Sequence, residues 1–183
     1  MSKKHIELYK QYHQEHTEYG SGGALKFYLK HIVDLVRDTK SKTILDYGCG
    51  KADGYFKYNH HKHWGIMPEL YDPAVTQFSK LPDGPFDGVI CFDVLEHIPE
   101  EEIPQTLIDI FDRAKKFVFL GIDTSPAQAV LSNGENAHCT LKSLKWWINM
   151  VNEHEKKVYT HVMTNGQDSG YEILNDELYL EML

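Results

Sequence analysis

The 183 residues suit one domain, and 27 acidic against 19 basic side chains give a formal net charge of −8. This charge repels a phosphate backbone, so nucleic acid is a disfavoured partner, although recognition of a single RNA end stays open. Three cysteines without a C-x-x-C pair, an N-terminus without a signal-peptide core and no apolar run of membrane-spanning length predict a cytoplasmic protein without a membrane partner.

An amphipathic helix is the first element that the sequence predicts. Residues 1–20 are polar and aromatic, and the break at Ser21-Gly22-Gly23 separates them from the next segment. Apolar side chains then recur at helical spacing from about Ala24 to Asp38. These side chains are Leu25, Leu29, Ile32, Val33 and Val36.

A buried strand and a tight glycine turn follow in Thr43–Asp53, which reads TILDYGCGKAD. The strand covers about Thr43–Tyr47, and the turn Gly48-Cys49-Gly50 lets the backbone approach a ligand because glycine has no Cβ. Asp46 lies at the carboxyl end of this strand, where open α/β sheets bind ligands. A dinucleotide fingerprint fits poorly, because its third glycine would fall at Asp53, and a P-loop requires Gly-Lys-Ser/Thr. An ordinary strand-to-helix turn remains open.

A second strand with an acidic end is predicted at Glu69-Leu70-Tyr71-Asp72-Pro73. The next strand starts near Phe86. Residues 73–85 are too few to hold a helix, a strand and another helix, because a βαβ unit alone takes ~30 residues. We therefore predict at most one short helix near Ala74–Thr76 and a stunted or missing strand near Gln77–Lys80.

The strongest apolar strands lie in the second half of the chain. Pro85–Glu100 reads PFDGVICFDVLEHIPE, which predicts a buried strand through Val89-Ile90-Cys91 that ends at Asp93. Phe117–Ile122 predicts another. The remaining predicted elements are a helix from Pro104 to about Ala114, a loop at Asp123–Cys139, a helix at Leu141–Asn152, and terminal strands near Lys157–Met163 and Tyr171–Leu174 that form an antiparallel hairpin.

Two motifs resemble those of class I S-adenosylmethionine-dependent methyltransferases. Residues 46–52 are similar to the D-x-G-x-G-x-G motif of that superfamily, with Ala52 in place of the last glycine, and residues 85–100 resemble its FD…LEH region. The resemblance covers about Thr43–Ile122. It implies an α/β fold with a Rossmann-like, doubly wound, mainly parallel sheet and a C-terminal antiparallel hairpin. In the numbering of the superfamily, the region between the second and fourth strands is shortened.

The resemblance also implies a single methyltransferase-like domain over residues 1–183. Residues 1–22 would form a lid or a flexible segment of this domain. If the segment is a lid, its side chains fold over the cofactor. If it is flexible, the terminus frays. The candidate lid side chains are Tyr12, His13 and Tyr19.

The implied cofactor is S-adenosyl-L-methionine, bound across the carboxyl ends of the strands. Asp46 would meet its ammonium group, directly or through water, and Asp72 would accept hydrogen bonds from both ribose hydroxyls. Asp72 before Pro73 also suits a helix N-cap, and both roles are compatible. The other implied cofactor contacts are Tyr47, Gly48, Cys49, Gly50, Pro73, Asp93 and Val94.

An adenine contact is implied four residues before a Leu-Pro pair, where the superfamily often carries an acid. Counting back from Leu81-Pro82 reaches Gln77 instead. A glutamine amide oxygen can still accept a hydrogen bond from the adenine amine. Phe78 would then cover the face of the ring.

Two histidines are the candidate catalytic residues, because a methyl acceptor that is a hydroxyl or an amine must lose a proton. His97 follows Glu96 after the Val89-Ile90-Cys91 strand, and His138 lies in the loop after the next strand. Both loops lie on the acceptor side in the methyltransferase fold. His97 also has a purely structural reading, as part of a helix start.

A metal site is a second, less favoured reading of the same residues. Asp93, Glu96 and His97 form D-x-x-E-H, to which His138 would add a second imidazole. This set resembles the E-x-x-E-H and distal histidine of small-RNA 3′-terminal 2′-O-methyltransferases, and the metal-binding acids of some ubiquinone-biosynthesis O-methyltransferases. A divalent ion held there would lower the pKa of an acceptor hydroxyl. The departures are aspartate for the first glutamate and the absence of a second distal histidine.

The predicted function is therefore an enzyme that transfers a methyl group from S-adenosylmethionine to an oxygen or nitrogen of a small molecule. Two alternatives stay open: a metal-dependent 2′-O-methyltransferase that acts on an RNA end, and a cofactor-binding module without catalysis. The sequence predicts neither the acceptor nor the oligomeric state.

Overall fold

A single six-stranded sheet forms the centre of the computed structural model, which describes residues 2–154 and 158–178. Its spatial order is β2-β1-β3-β4-β5-β6, and all neighbours are parallel except the antiparallel pair β5–β6. The predicted α/β fold, with a mostly parallel sheet and a C-terminal antiparallel hairpin, is confirmed. The strands are β1 Ile44–Tyr47, β2 Glu69–Tyr71, β3 Phe86–Phe92, β4 Ala114–Asp123, β5 Tyr159–Asn165 and β6 Gly170–Leu174.

Helices cover both faces of this sheet. One apolar cluster joins helix α2 to one face, and a second joins helices α4 and α5 to the other. Burial on both faces explains why β3 and β4 read as continuous apolar runs rather than as alternating ones. The helices are α1 Lys3–Glu15, α2 Leu25–Asp38, α3 Asp53–Phe56, α4 Ile103–Phe111 and α5 Leu144–His154.

The chain between β2 and β3 is as short as its sequence predicts. In this described stretch the only regular structure is one 3-10 turn at Thr76–Phe78, which takes the place of the short helix, and the strand predicted as stunted or missing near Gln77–Lys80 is missing. A backbone hydrogen bond from Asp72 N to Phe78 O closes the loop. As a result, β2 lies at the edge of the sheet, and no α-helix from this connection packs on β1 and β2.

The strand order reverses between β1 and β3, because β2 lies on one side of β1 and β3 on the other. In open α/β sheets this switch point leaves a crevice at the carboxyl ends of the strands, and ligands bind there. The two motif regions of the sequence end at this crevice: Gly48 follows β1, and Asp93 follows β3.

The structure adds detail to the predictions for two parts of the chain, the N-terminal segment and the terminal hairpin. The N-terminal segment is not a frayed coil, since residues 3–15 form helix α1, whose first turn is capped by the Ser2 side chain. The terminal hairpin is present as β5 and β6, although its expected start at Lys157 lies outside the described residues. None of the described helices has the length and apolar character needed to cross a membrane.

Candidate functional site

A cavity of about 700 Å³ opens at the carboxyl ends of β1, β2 and β3. Its volume falls within the range of ~300–1,000 Å³ that is usual for small-molecule sites. Most sequence candidates line it, whereas Asp46, Gln77, Phe78 and Glu96 do not. The candidates that line it are Tyr47, Gly48, Cys49, Gly50, Asp72, Pro73, Asp93, Val94, His97 and His138.

The glycine turn after β1 requires glycine for two separate reasons. Gly48 and Gly50 have φ of +96° and +55°, a region that residues with a Cβ rarely adopt. A Cβ on Gly48 would also lie 2.2 Å from the Val94 side chain, and one on Gly50 would lie 2.2 Å from Gly20 O. The turn is therefore packed directly against the loop after β3 and against the N-terminal segment.

The backbone amides of this turn and of the next residue, Lys51, are all bonded within the protein. Gly48 N and Cys49 N donate to Tyr71 O, Gly50 N donates to an Asp72 carboxylate oxygen, and Lys51 N donates to Gly20 O. A phosphate site of the dinucleotide or P-loop type depends on free backbone amides that point at the anion. This geometry therefore disfavours a phosphate ligand at the turn.

Asp72 holds the glycine turn to the end of β2. Its two carboxylate oxygens accept hydrogen bonds from Gly50 N (2.9 Å) and Ala74 N (2.8 Å). The second bond closes a turn and not a helix start, since no helix begins at Pro73, so the predicted N-cap role is wrong. Burial raises the pKa of Asp72, with His13 nearby as a partly offsetting charge. Each carboxylate oxygen can accept a second hydrogen bond, so the predicted ribose contact remains sterically and chemically available.

Asp46 lies beneath the turn rather than in the cavity. The carboxylate is buried, its Oδ2 accepts a hydrogen bond from the Tyr55 hydroxyl, and its Oδ1 has no partner among the described residues. Burial raises its pKa to about 7. A direct contact with a ligand ammonium group therefore lacks an open path, and the unpartnered Oδ1 keeps the acceptor capacity that a water-mediated contact would use.

Gln77 and Phe78 are not brought to this cavity. Both line a shallow depression beside the start of β2, and the Phe78 ring stacks on Phe56 with centroids 6.4 Å apart. The physical reason is the short connection: the 3-10 turn that carries them folds back outside β2. The structure therefore corrects the prediction that these two residues contact an adenine in the cavity.

Two histidines that line the other end of the cavity, His97 and His138, lie close to the buried Glu96. One ligand atom each of Glu96, His97 and His138 lies within 4.8 Å of the other two. Two imidazoles and one carboxylate form a donor set that suits Mn²⁺, Fe²⁺, Co²⁺ or Zn²⁺ better than Mg²⁺, which prefers oxygen. Among the described residues, Asp93 is not part of this group, so the predicted four-residue set is reduced to three.

The two histidines are held in the tautomer that a metal needs. His97 Nδ1 lies 2.8 Å from Ala137 O, and His138 Nδ1 lies 2.6 Å from Ser125 O. A carbonyl oxygen can only accept, so each Nδ1 carries the hydrogen and each Nε2 keeps a free lone pair. Metal-binding histidines are typically oriented by such a bond from the second nitrogen.

The loop after β4 is built to position His138. The Asn136 side chain exchanges hydrogen bonds with both backbone groups of Ala127 and accepts one from His138 N. Thr140 then ties the loop to the segment after β3, because its amide and hydroxyl donate to the backbone oxygens of Glu96 and Ile98. This explains why a segment without periodicity nevertheless places His138 beside His97, with ring centroids 4.6 Å apart.

The buried Glu96 and two partly buried aspartates, Asp93 and Asp123, lie near the two histidines. Burial and the nearby Asp93 raise the pKa of Glu96 well above its usual value, and burial and Asp123 raise that of Asp93 to about 6. Glu96 Oε1 accepts a hydrogen bond from Asp123 N, and Oε2 has no partner among the described residues. Burial and His138 lower the pKa of His97 to about 3, so this imidazole is neutral. Neutral imidazole beside unpartnered carboxylate oxygen is the arrangement that a cation stabilises.

Helix α1 supplies a wall of the cavity that the sequence predicts only as a general lid. The buried Tyr9 hydroxyl contacts Ala137 O (2.5 Å) and His97 O (3.1 Å), so it bridges the two histidine loops. The expected lid residues Tyr12, His13 and Tyr19 also line the cavity. Sequence patterns do not single out Tyr9, because its partners are backbone oxygens about ninety or more residues away, which no local pattern reveals.

Replacing Tyr9 by phenylalanine is expected to lower the free energy of unfolding by about 1–3 kcal/mol, because two backbone carbonyls lose a buried donor. Chemical denaturation measures this change. Tyr58→Phe is the control, since this exposed side chain should change stability by less than about 0.5 kcal/mol. Equal stability of Tyr9→Phe and the wild type would contradict a structural role for the hydroxyl.

Comparison with known proteins adds no assignment to this site. The chain matches none of the protein-family models, curated proteins or solved structures against which it was compared. Its function is therefore argued from the geometry of the cavity and from the chemistry of the residues that line it.

Proposed function

We propose that this protein is an S-adenosylmethionine-dependent methyltransferase that acts on a small-molecule hydroxyl group and holds a divalent metal ion at Glu96, His97 and His138. The observation that carries the proposal is the pairing of two unlike ends in one cavity. One end carries a glycine turn without free amides beside the Asp72 carboxylate, and the other carries the cluster of two histidines and one glutamate.

The first end suits a nucleoside without phosphate. Asp72 can accept hydrogen bonds from ribose hydroxyls, and the occupied amides of residues 48–51 favour a sulfonium ligand over a phosphate ester. S-adenosylmethionine supplies, when bound, a methyl group that is already activated for in-line displacement.

The second end supports an oxygen acceptor. Glu96, His97 and His138 would hold the metal ion, which would supply a lowered pKa for a bound acceptor hydroxyl at neutral pH. The protein itself fixes the ligand nitrogens through Ala137 O and Ser125 O and shields the site with α1. His138 Nε2 has one lone pair, so it can bind a metal or accept a proton but not both at once. The metal role is favoured because one ligand atom each of Glu96, His97 and His138 lies within 4.8 Å of the other two.

Calorimetry with the full chain tests the cofactor. S-adenosylhomocysteine is expected to bind, whereas NAD⁺ and ATP are expected to bind at least about 100-fold more weakly, because their phosphates find no free amides at the turn. No binding of S-adenosylhomocysteine at millimolar concentration would overturn the proposal. Equal binding of NAD⁺ would replace it with a dinucleotide function.

Release of S-adenosylhomocysteine across a panel of hydroxyl, catechol, amine and 3′-terminal RNA substrates tests the reaction. Each is assayed with added Mn²⁺ and with a chelator. Turnover of a hydroxyl substrate that the chelator abolishes supports the proposal. Turnover that persists with the chelator favours His138 as a metal-free base, turnover of the RNA alone favours the RNA-end alternative, and cofactor binding without turnover of any substrate favours a binding module.

A further inference from the structure

A recess of the cavity extends away from the histidines, between the ends of β1 and β2 and the side of α4. Two aromatic, one hydroxyl and one carboxylate side chain line it: Tyr47, Tyr71, Thr106 and Asp109. It exists because residues 72–85 contain no helix that would cover this face of β1 and β2. Helix α4 therefore presents its side directly to the cavity.

The recess lies on the far side of Asp72 from the metal-binding cluster. Tyr71 ends β2 and Asp72 follows it directly, and Asp109 of α4 lines the same cavity. His97 follows β3 and His138 follows β4, and both strands lie on the opposite side of β1 from β2. The strand order therefore places Tyr71 and Asp72 at the β2 end of the cavity, and His97 and His138 at its β3 and β4 end.

This order matches the covalent order of an adenosyl sulfonium compound. The sulfur carries the reacting methyl group and is also bonded to the ribose. The base is attached to the opposite end of the ribose. With the ribose at Asp72 and the methyl group facing the metal-binding cluster, the base must point into the recess. Gln77 and Phe78 cannot receive it, since they line a separate depression.

The recess has the chemistry that an aminopurine needs. The Tyr47 and Tyr71 rings pack edge to face with centroids 5.0 Å apart and give an aromatic wall against which a base can pack. In the described part of the chain, the Asp109 carboxylate accepts one hydrogen bond, at 3.2 Å from Gln105 Nε2, and keeps the rest of its acceptor capacity. The Thr106 hydroxyl donates to Glu102 O, which leaves its oxygen able to accept.

We propose that this recess binds the adenine base of the cofactor and that the Asp109 carboxylate accepts a hydrogen bond from the exocyclic amine. The inference rests on the proposed methyltransferase function and adds a specificity-determining residue to it. Asp109, which lies on helix α4, supplies the adenine contact that the shortened connection between β2 and β3 does not provide.

The test compares two ligands that differ only in the amine. Calorimetry with the full chain measures binding of S-adenosylhomocysteine and of its purine analogue, which carries hydrogen in place of the 6-amino group. Wild-type protein is expected to prefer the amine-bearing ligand by about 10- to 100-fold, because a hydrogen bond to a charged acceptor is lost with the analogue.

Variants on α4 and β2 then locate the source of this preference. Asp109→Ala is expected to reduce the ratio of the two affinities to about one. Measuring both ligands on both proteins completes a double-mutant cycle, which isolates the interaction between Asp109 and the amine. Asp112→Ala is the matched control, since this exposed aspartate near the end of α4 does not line the cavity and should leave the ratio unchanged. Tyr71→Leu should weaken both ligands alike and also keep the ratio.

The outcomes separate this inference from the function on which it rests. No binding of S-adenosylhomocysteine by the wild type overturns the proposed function and this inference together. Binding with an equal affinity for both ligands, or a preference that survives in Asp109→Ala, overturns the inference alone. A fall in the ratio in Asp112→Ala as well would assign the effect to the general charge of α4 and also overturn it.

Discussion

His138→Ala is expected to reduce the affinity for Mn²⁺, Co²⁺ or Zn²⁺ at least about 100-fold and to abolish metal-dependent methyl transfer. Loss of an outer-shell partner alone costs about 10- to 100-fold in metal affinity, and this change removes one of three direct ligands. The measurement is calorimetric titration of the ions into wild-type and variant protein. Binding of S-adenosylhomocysteine should stay within about threefold of the wild-type value, because His138 lies at the acceptor end.

A histidine far from the cavity provides the control for this prediction. His63 is exposed in the 3-10 turn His60–His63, so His63→Ala should bind ions as the wild type does. If His138→Ala and wild type bind the ions equally well, the proposed metal site is wrong. If His63→Ala loses the same affinity, the ions bind to the exposed histidine turn instead.

Gly50→Ala is expected to lower the free energy of unfolding by about 3–5 kcal/mol, because two costs combine. The left-handed backbone costs a residue with a Cβ about 1–2 kcal/mol. The new methyl group would also lie 2.2 Å from Gly20 O, so the N-terminal segment or the turn must shift. Chemical denaturation measures the loss, and S-adenosylhomocysteine affinity should fall with it because the turn forms a wall of the cavity.

Gly134 separates the two costs. Its φ of +86° is also left-handed, but no atom lies within 4 Å of the position where a Cβ would stand. Gly134→Ala should therefore cost only the conformational part, about 1–2 kcal/mol. Equal losses in Gly50→Ala and Gly134→Ala would contradict the close packing of the turn against Gly20.

The fold and the centre of the site follow from local patterns in the sequence. The turn Gly48-Cys49-Gly50 and the acidic end of β3 are predictable, because a buried strand, a glycine turn and a carboxylate are adjacent in the chain. Asp72 and the shortened connection are predictable for the same reason, since they depend on order and length. His97 and His138 are predictable as polar residues in loops that share one edge of a parallel sheet.

The remaining features depend on contacts between distant segments. Whether Asp46 faces the cavity or the interior is decided by Tyr55, which takes its Oδ2. Tyr9 acts through backbone oxygens, which every residue has and no motif marks. Asp109 reaches the cavity only because a helix is missing elsewhere, so its spacing on α4 predicts a half-exposed surface residue and nothing more.

The loss of a strand beyond β2 has a consequence for self-association. It turns β2 into an edge strand, and unpaired edges can template pairing between molecules and so lead to aggregation. Here the edge is only three residues long and is bracketed by Pro68 and Pro73, neither of which has a backbone N–H to offer an incoming strand. The shortened sheet therefore ends in an edge that resists addition of a second copy.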